Sequence, residues 1–304
     1  MRTNDDQEMS PEPNKKLVIA IASGKGGTGK TTIAAGLTKA IADMGKSVAY
    51  LDCDVEEPNG HIFFQPEIEN STEVKVLVPE IEMEKCTFCG ECSKICRFNA
   101  IAVLKEDVMV FPSLCHSCGG CFLICPEKAI KEVPRKIGLI RNGHGYGAIF
   151  YEGRLDVGEA LSPPLTRELK KVVPGSEVII LDSPPGTSCP VIAAVTDSDY
   201  VILVTEPTPF GLHDLKLAAE MTRALKLPFG VVINRADIGD TGVEDYCRTK
   251  NIDVLLRIPF DRRIAEAYSR GNMLSSAGAA YSDDMNRLYI QVENKVITHG
   301  NSHS

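Results

Sequence analysis

The sequence predicts an α/β chain built on a doubly wound, mostly parallel β-sheet, with a small cysteine-rich domain inserted into it. Three observations lead there. Apolar, β-branched runs alternate with helix-period segments along most of the 304 residues, the pattern of βαβ units whose sheet is covered on both faces. A glycine-rich stretch, SGKGGTGKTT (23–32), joins the first apolar run to the first helical segment. Eight of the eleven cysteines fall between residues 82 and 134, where the alternation stops.

Taken in order, residues 1–14 are polar, lack an apolar signal region and read as a disordered tail. Strands are expected at 17–23, 48–52, 177–182, 200–206, 229–234 and 253–259. Helices are expected at 30–44, 163–173, 188–196, 211–226, 242–250, 262–270 and 283–297. Residues 15–81 and 134–304 would form the main domain and 82–133 the insertion. GHGYG (143–147) reads as a flexible loop leaving the insertion, a hinge candidate. In the last helix Met285, Leu288, Tyr289, Val292 and Val296 share one stripe with few basic residues opposite, which predicts docking on the core rather than a membrane surface.

Composition narrows the function. A net charge of −8 and a pI near 5.4 argue against a general nucleic-acid binder. No apolar run approaches the roughly 18 residues of a membrane span. These features predict a cytoplasmic chain, in which eleven cysteines are better read as metal ligands or thiols than as disulfides.

The glycine-rich stretch satisfies GxxxxGK[ST] from Gly24 through Gly26, Gly27, Thr28 and Gly29 to Lys30 and Thr31, followed by Thr32. Following a strand and opening a helix, such a loop turns backbone N–H groups toward phosphate oxygens, with Lys30 reaching the outer phosphates and the Thr31 hydroxyl placed for Mg²⁺. LDCDVEEPN (51–59) puts Asp52 and Asp54 at the C-terminal edge of the second strand, where a carboxylate can hold a metal's water shell or orient an attacking water. VIILDSPPG (178–186) ends another apolar strand on Asp182, as a Walker B strand does. NRAD (234–237) partly matches the NKxD that reads guanine, with Arg235 where lysine stacks, so the base stays open on the residues alone.

The early Lys25, the DxD at 52–54 and DSPPG together resemble the deviant Walker A ATPases, the group of MinD, ParA, Mrp and the nitrogenase iron protein. The resemblance covers about 15–81 and 146–275, including IPFDRRIAEA (258–267), similar to the group's loop near the base. It implies ATP with Mg²⁺, a nucleotide-sandwich homodimer, and a Lys25 that reaches the partner's phosphates. It further implies a water-orienting Asp54, Asp52 and Asp182 behind the metal, Asn59 at a dimer contact and Asn234 on adenine.

CTFCGECSKIC (86–96) and CHSCGGCFLIC (115–125) each read C-x₂-C-x₂-C-x₃-C. That spacing lets three thiolates grip one face of a cubane while the fourth serves a neighbouring cluster; paired zinc sites would not need triple-cysteine runs. Over 82–133 the chain resembles a bacterial-type ferredoxin with two [4Fe-4S] clusters. By that resemblance Cys86, Cys89, Cys92 and Cys125 hold one cluster, and Cys115, Cys118, Cys121 and Cys96 the other. Arg97 stands where the second motif has Pro126. Cys53 and Cys247 read as buried small hydrophobes. Cys189, seven residues after Asp182, matches the spacing of a cluster-ligating cysteine in the nitrogenase iron protein and is a speculative redox or cluster thiol.

Two functions compete on this reading, and complete ligation of both clusters by four thiolates favours the first. One couples ATP hydrolysis to electron transfer through both clusters toward an unidentified redox partner. The other is an ATP-dependent scaffold or carrier in iron–sulfur or metallocofactor assembly.

Overall fold

The computed structural model describes residues 16–172, 175–273 and 278–300, so the predicted tail at 1–14 lies outside the described residues. The chain runs β1 (Leu17–Ala22), α1 (Lys30–Asp43), β2 (Val48–Asp52), α2 (Gly60–Phe64) and β3 (Glu67–Ile81). Then come α3 (Glu91–Ile95), β4 (Ile101–Val103), β5 (Val108–Val110), α4 (Gly120–Ile124), β6 (Ile130–Gly145) and β7 (Ala148–Leu155). It continues through α5 (Pro163–Lys171), β8 (Val178–Asp182), α6 (Cys189–Val195), β9 (Tyr200–Thr205), α7 (Pro209–Ala224) and β10 (Phe229–Asn234). It ends with α8 (Gly242–Thr249), β11 (Val254–Ile258), α9 (Arg262–Ser269) and α10 (Ala279–Gly300).

Nine strands form one sheet in the order β11-β10-β9-β1-β8-β2-β7-β6-β3. From β11 to β7 every neighbour is parallel. The strand interiors are apolar on both faces because helices cover both. Ile19 and Ile21 of β1 point to one layer with α1 and α10, whereas Ala20 and Ala22 point to the other with α5 through α8. Burying a large aliphatic side chain of this kind contributes roughly 1.5–3 kcal/mol. Met285, Leu288, Tyr289 and Val292 of α10 are buried on this core, as their stripe predicts. Cys53 and Cys247 are buried too, and burial pushes the Cys247 thiol up to about 11. Among the described residues no helix is long and apolar enough to cross a membrane.

The structure departs from expectation on one edge. GHGYG is not a free hinge. Residues through Gly145 belong to β6, and Tyr146 and Gly147, both at positive φ (51° and 79°), make the two-residue turn into β7. β6 runs antiparallel between β7 and β3, so the parallel sheet carries an antiparallel flank that the apolar pattern does not announce.

That flank leads into the cysteine-rich segment. β7 stops at Leu155, opposite Gly138, but β6 and β3 stay paired as far as Ile130 and Ile81. Because β7 is parallel to β2, this two-stranded ribbon projects on the side where β2 ends in Asp52. Between Ile81 and Ile130 the backbone repeats itself with a 29-residue offset. Phe88 and Ser117 (φ 55° and 53°), Gly90 and Gly119 (81° and 70°), and Asn99 and Lys128 (53° and 50°) adopt matching left-handed conformations. The pairing of Ile101 with Val110 in the small sheet matches that of Ile130 with Ile81 in the ribbon, so the ribbon's tip is also the second half of the repeat.

Candidate functional site

The loop after β1 opens α1 at Gly29, whose φ of 96° suits glycine and leaves the first helical N–H groups free. Gly26, Gly27, Gly29, Lys30, Thr31 and Thr32 line an open cleft of about 1400 Å³ with Asp54, Asn59, Pro185, Asn234, Arg235 and Phe260. Lys30 is buried, and desolvation lowers its pKa against the opposing pull of Asp182 and Asp54.

Behind the loop the two strand-end aspartates occupy different positions. Asp182 is fully buried; its Oδ2 accepts a hydrogen bond from Tyr50 Oη at 2.8 Å, while Oδ1 has no hydrogen-bond partner. Asp52 is also fully buried and accepts from the backbone N–H groups of Asp54 (3.1 Å), Asn59 (3.0 Å) and Gly60 (2.8 Å). It therefore shapes the loop that carries Asp54 and does not itself line the cleft. Burial raises the pKa of both, and Asp182 raises Asp52 further. Asp54, nearer solvent, is pushed up to about 6, chiefly by desolvation. Lys30 and Thr31 line the cleft, and behind them Asp182 Oδ1 and Thr28 Oγ1 are buried without hydrogen-bond partners, an arrangement that fits a nucleotide with its Mg²⁺.

Lys25 is one-third exposed, and its Nζ lies 3.5 Å from Glu206 Oε2. Glu206 follows β9 and also takes Arg235 Nη1 at 3.0 Å. Asn234 lines the cleft, and its Nδ2 donates to the Thr28 carbonyl at 2.8 Å, bracing the phosphate loop. Asp237 is engaged as well, accepting from the Phe260 N–H at 2.5 Å. Sequence reasoning missed Tyr50 and Glu206; a lone hydroxyl in the buried run VAYLD and a lone carboxylate closing YVILVTE were the available signals.

The cysteines gather as two quartets. Cys86, Cys89, Cys92 and Cys125 line one pocket of about 370 Å³, with Ile81, Phe88, Ala129 and Ile130. Cys96, Cys115, Cys118 and Cys121 line a second, of about 490 Å³, with Leu77, Pro79 and Phe98. The short helices α3 and α4 follow Gly90 and Gly119, each in the left-handed region, which turn Cys92 and Cys121 back toward their pockets. The Ala100 and Ala129 N–H groups each donate to Cys96 and Cys125 Sγ at 3.3 Å, and the Ser117 N–H to Cys115 Sγ at 3.4 Å. Among the described residues no group of three or more His, Cys, Asp or Glu side chains is gathered around a single ion. Each quartet of thiols lines a common pocket instead. Cys189 is exposed at the start of α6, on the same side of the sheet as the cleft.

This sheet order and phosphate loop define a P-loop nucleotide-binding protein of MinD-like fold. The chain belongs to the CobQ/CobB/MinD/ParA nucleotide binding domain family, whose profile matches residues 19–274. It is 31% identical over 261 residues to the uncharacterized protein MJ0579 of Methanocaldococcus jannaschii, covering 85% of this chain and 91% of that one. It is 27% identical over 280 residues to the iron-sulfur cluster carrier protein of Pyrococcus horikoshii, covering 86% of this chain and 79% of that one. Among solved structures, the Pyrococcus horikoshii septum site-determining protein MinD complexed with Mg-ADP superposes with a TM-score of 0.58 at 20% identity, over 91% of this chain and 96% of that one. The cysteine-rich segment fits an inserted ferredoxin-like unit.

Proposed function

We propose that this chain is an ATP-hydrolysing carrier of iron–sulfur clusters, in which residues 82–133 are an inserted two-[4Fe-4S] domain and 15–81 with 134–304 form the ATPase. The iron–sulfur part of this reading is carried by the sorting of eight cysteines into two quartets, each around its own pocket, on a ribbon continuous with the nucleotide-binding sheet, and the carrier part by the relatives. The 25–27% identity to proteins named iron-sulfur cluster carriers supports it.

On this reading ATP binds with its phosphates against the loop N–H groups and Lys30. Mg²⁺, when bound with Thr31 as the protein ligand and Asp182 behind it, neutralises phosphate charge. Asp54 accepts a hydrogen bond from the attacking water and orients it. Lys25 leaves Glu206 and meets the phosphates of a second copy, so that turnover depends on a homodimer, and Asn59 lies at that contact. Hydrophobic Phe260 and Ile264 lie where a base would sit, consistent with adenine.

The test is transfer. Anaerobically reconstituted protein is mixed with an apo-ferredoxin acceptor, with and without Mg·ATP, and cluster arrival is followed by circular dichroism. Transfer accelerated by ATP and abolished in Lys30→Ala is expected; transfer indifferent to both would refute the carrier reading. A second reading, ATP-gated electron transfer, is favoured by the full set of four thiols at each pocket, since a cluster to be handed on is usually less completely held. A redox titration monitored by EPR, with and without Mg·ATP, separates the two. Cys189 is kept as a candidate redox thiol, to be excluded if Cys189→Ser changes neither potentials nor transfer.

A further inference from the structure

We infer that Arg135 and Arg141 of β6 are positioning residues that tie the Asp54 loop to the ribbon, so that the state of the nucleotide site sets how the cysteine-rich unit is held. The inference deepens the function proposed above and rests on it.

Two chains of contacts converge on β6. In the first, Asp52 Oδ2 holds the N–H groups of Asn59 and Gly60 and so fixes the start of α2. The next residue, His61, has Nδ1 3.4 Å from Glu152 Oε2. Glu152 is fully buried in β7, opposite Asp52 in the sheet register, and its Oε1 receives Arg141, with Nε at 2.6 Å. In the second, Glu56, two residues past Asp54, accepts from Ser162 Oγ at 2.8 Å. Ser162 closes the loop that follows β7, and this loop also carries Asp156, 3.2 Å from Lys136 Nζ, and Glu159, which pairs with Arg135. The Glu159 side chain is only 4% exposed.

Both ion pairs are incompletely satisfied. Arg135 Nε and Nη2 and Glu159 Oε1 are buried without hydrogen-bond partners, and Glu152 Oε2, equally without one, is met only by His61 Nδ1 at 3.4 Å, itself not hydrogen-bonded. A pair serving stability alone is expected to bond all its polar atoms, because each buried orphan is costly. Here the spare donors and acceptors permit a second set of partners when the Asp54 loop moves against nucleotide. The ribbon is stiff enough to pass the change on, since it is hydrogen-bonded strand to strand up to Ile81 and Ile130. Those two residues are themselves walls of the first cysteine pocket.

The experiment is hydrogen exchange read by mass spectrometry on the full chain, comparing Mg·ADP with a non-hydrolysable ATP analogue. Exchange of the 130–137 amides is expected to change about tenfold between the two states in the native chain. In Arg135→Met and Arg141→Met that difference should vanish while ATP turnover and iron content stay near native, and Arg141→Lys should restore part of it. Identical exchange in the two states of the native chain, or an unchanged difference in both methionine variants, overturns the inference. Because the native chain is compared with itself, the reading survives a variant that fails to fold. Iron analysis of the same samples tests cluster binding separately from coupling.

Discussion

Asp54 shows how burial shapes a single carboxyl. Its pKa, raised to about 6 by desolvation, means that below this pH it takes up a proton, loses its charge and becomes a much weaker acceptor for the attacking water. ATP turnover is expected to fall as pH drops through 6, with a profile that disappears in Asp54→Asn along with most of the activity; a rate flat from pH 5 to 8 would rule the role out. Stability has the opposite sign. In the unfolded chain the carboxyl titrates near 4, so between about 4 and 6 the folded state binds more protons and loses stability as pH rises. Asp54→Asn should therefore melt a few degrees higher than the native chain at pH 7 without nucleotide. Lys25 supplies the second case. Its position in the motif was legible, but its tether was not, because Glu206 is some 180 residues away and only the sheet brings them together. Glu206→Gln should release Lys25 and lower the concentration at which ATP drives dimerisation, as read by analytical ultracentrifugation; an unchanged midpoint would show that the carboxylate does not restrain it.

At the level of elements, six of the seven parallel strands and their helices were largely readable. β2 and β10 match their expected bounds and most others differ by a residue, because fully buried parallel strands are continuous apolar runs. The flank was not. β7 and β6 were missed together because AIFYEGRL follows a glycine-rich stretch, and HGYG resembles any loop until Tyr146 and Gly147 are seen to form a two-residue hairpin turn. β3 begins with seven exposed residues, so only Val74, Val76 and Val78 give the period of two, and the polar half is held as strand by its partner. Gly143 tests this pairing: a Cβ there would lie 1.9 Å from the Glu67 carbonyl oxygen. Gly143→Ala should cost about 2 kcal/mol and lower the melting temperature by several degrees, with amide protection lost first in β3. An unaltered melting curve would mean that the flank contributes little to the fold.

For the whole molecule, the ferredoxin resemblance implies two sets of four cysteines, and each of the two pockets is lined by one such set. What no motif disclosed was the path between the two halves, since hydrogen-bonded strands and buried ion pairs lie at separations where sequence spacing has no period to read. Cys92→Ala should halve the iron and acid-labile sulfide of a reconstituted sample and leave nucleotide binding intact; complete loss of iron would show that the two quartets fill only together.

The ribbon has one more consequence. The inserted stretch departs from Ile81 and returns at Ile130, and these two residues face each other across an antiparallel pair. To the sheet, therefore, nearly fifty residues amount to one long hairpin turn. The insertion is wired like a plug in a socket: the strands beneath it keep the same neighbours whether the plug is large, small or absent. A chain in which residues 82–129 are replaced by Asn-Gly should then fold, bind nucleotide and carry no iron. The same junction could accept some other hairpin-ended unit, making the ATPase a base on which different cargo heads are interchangeable.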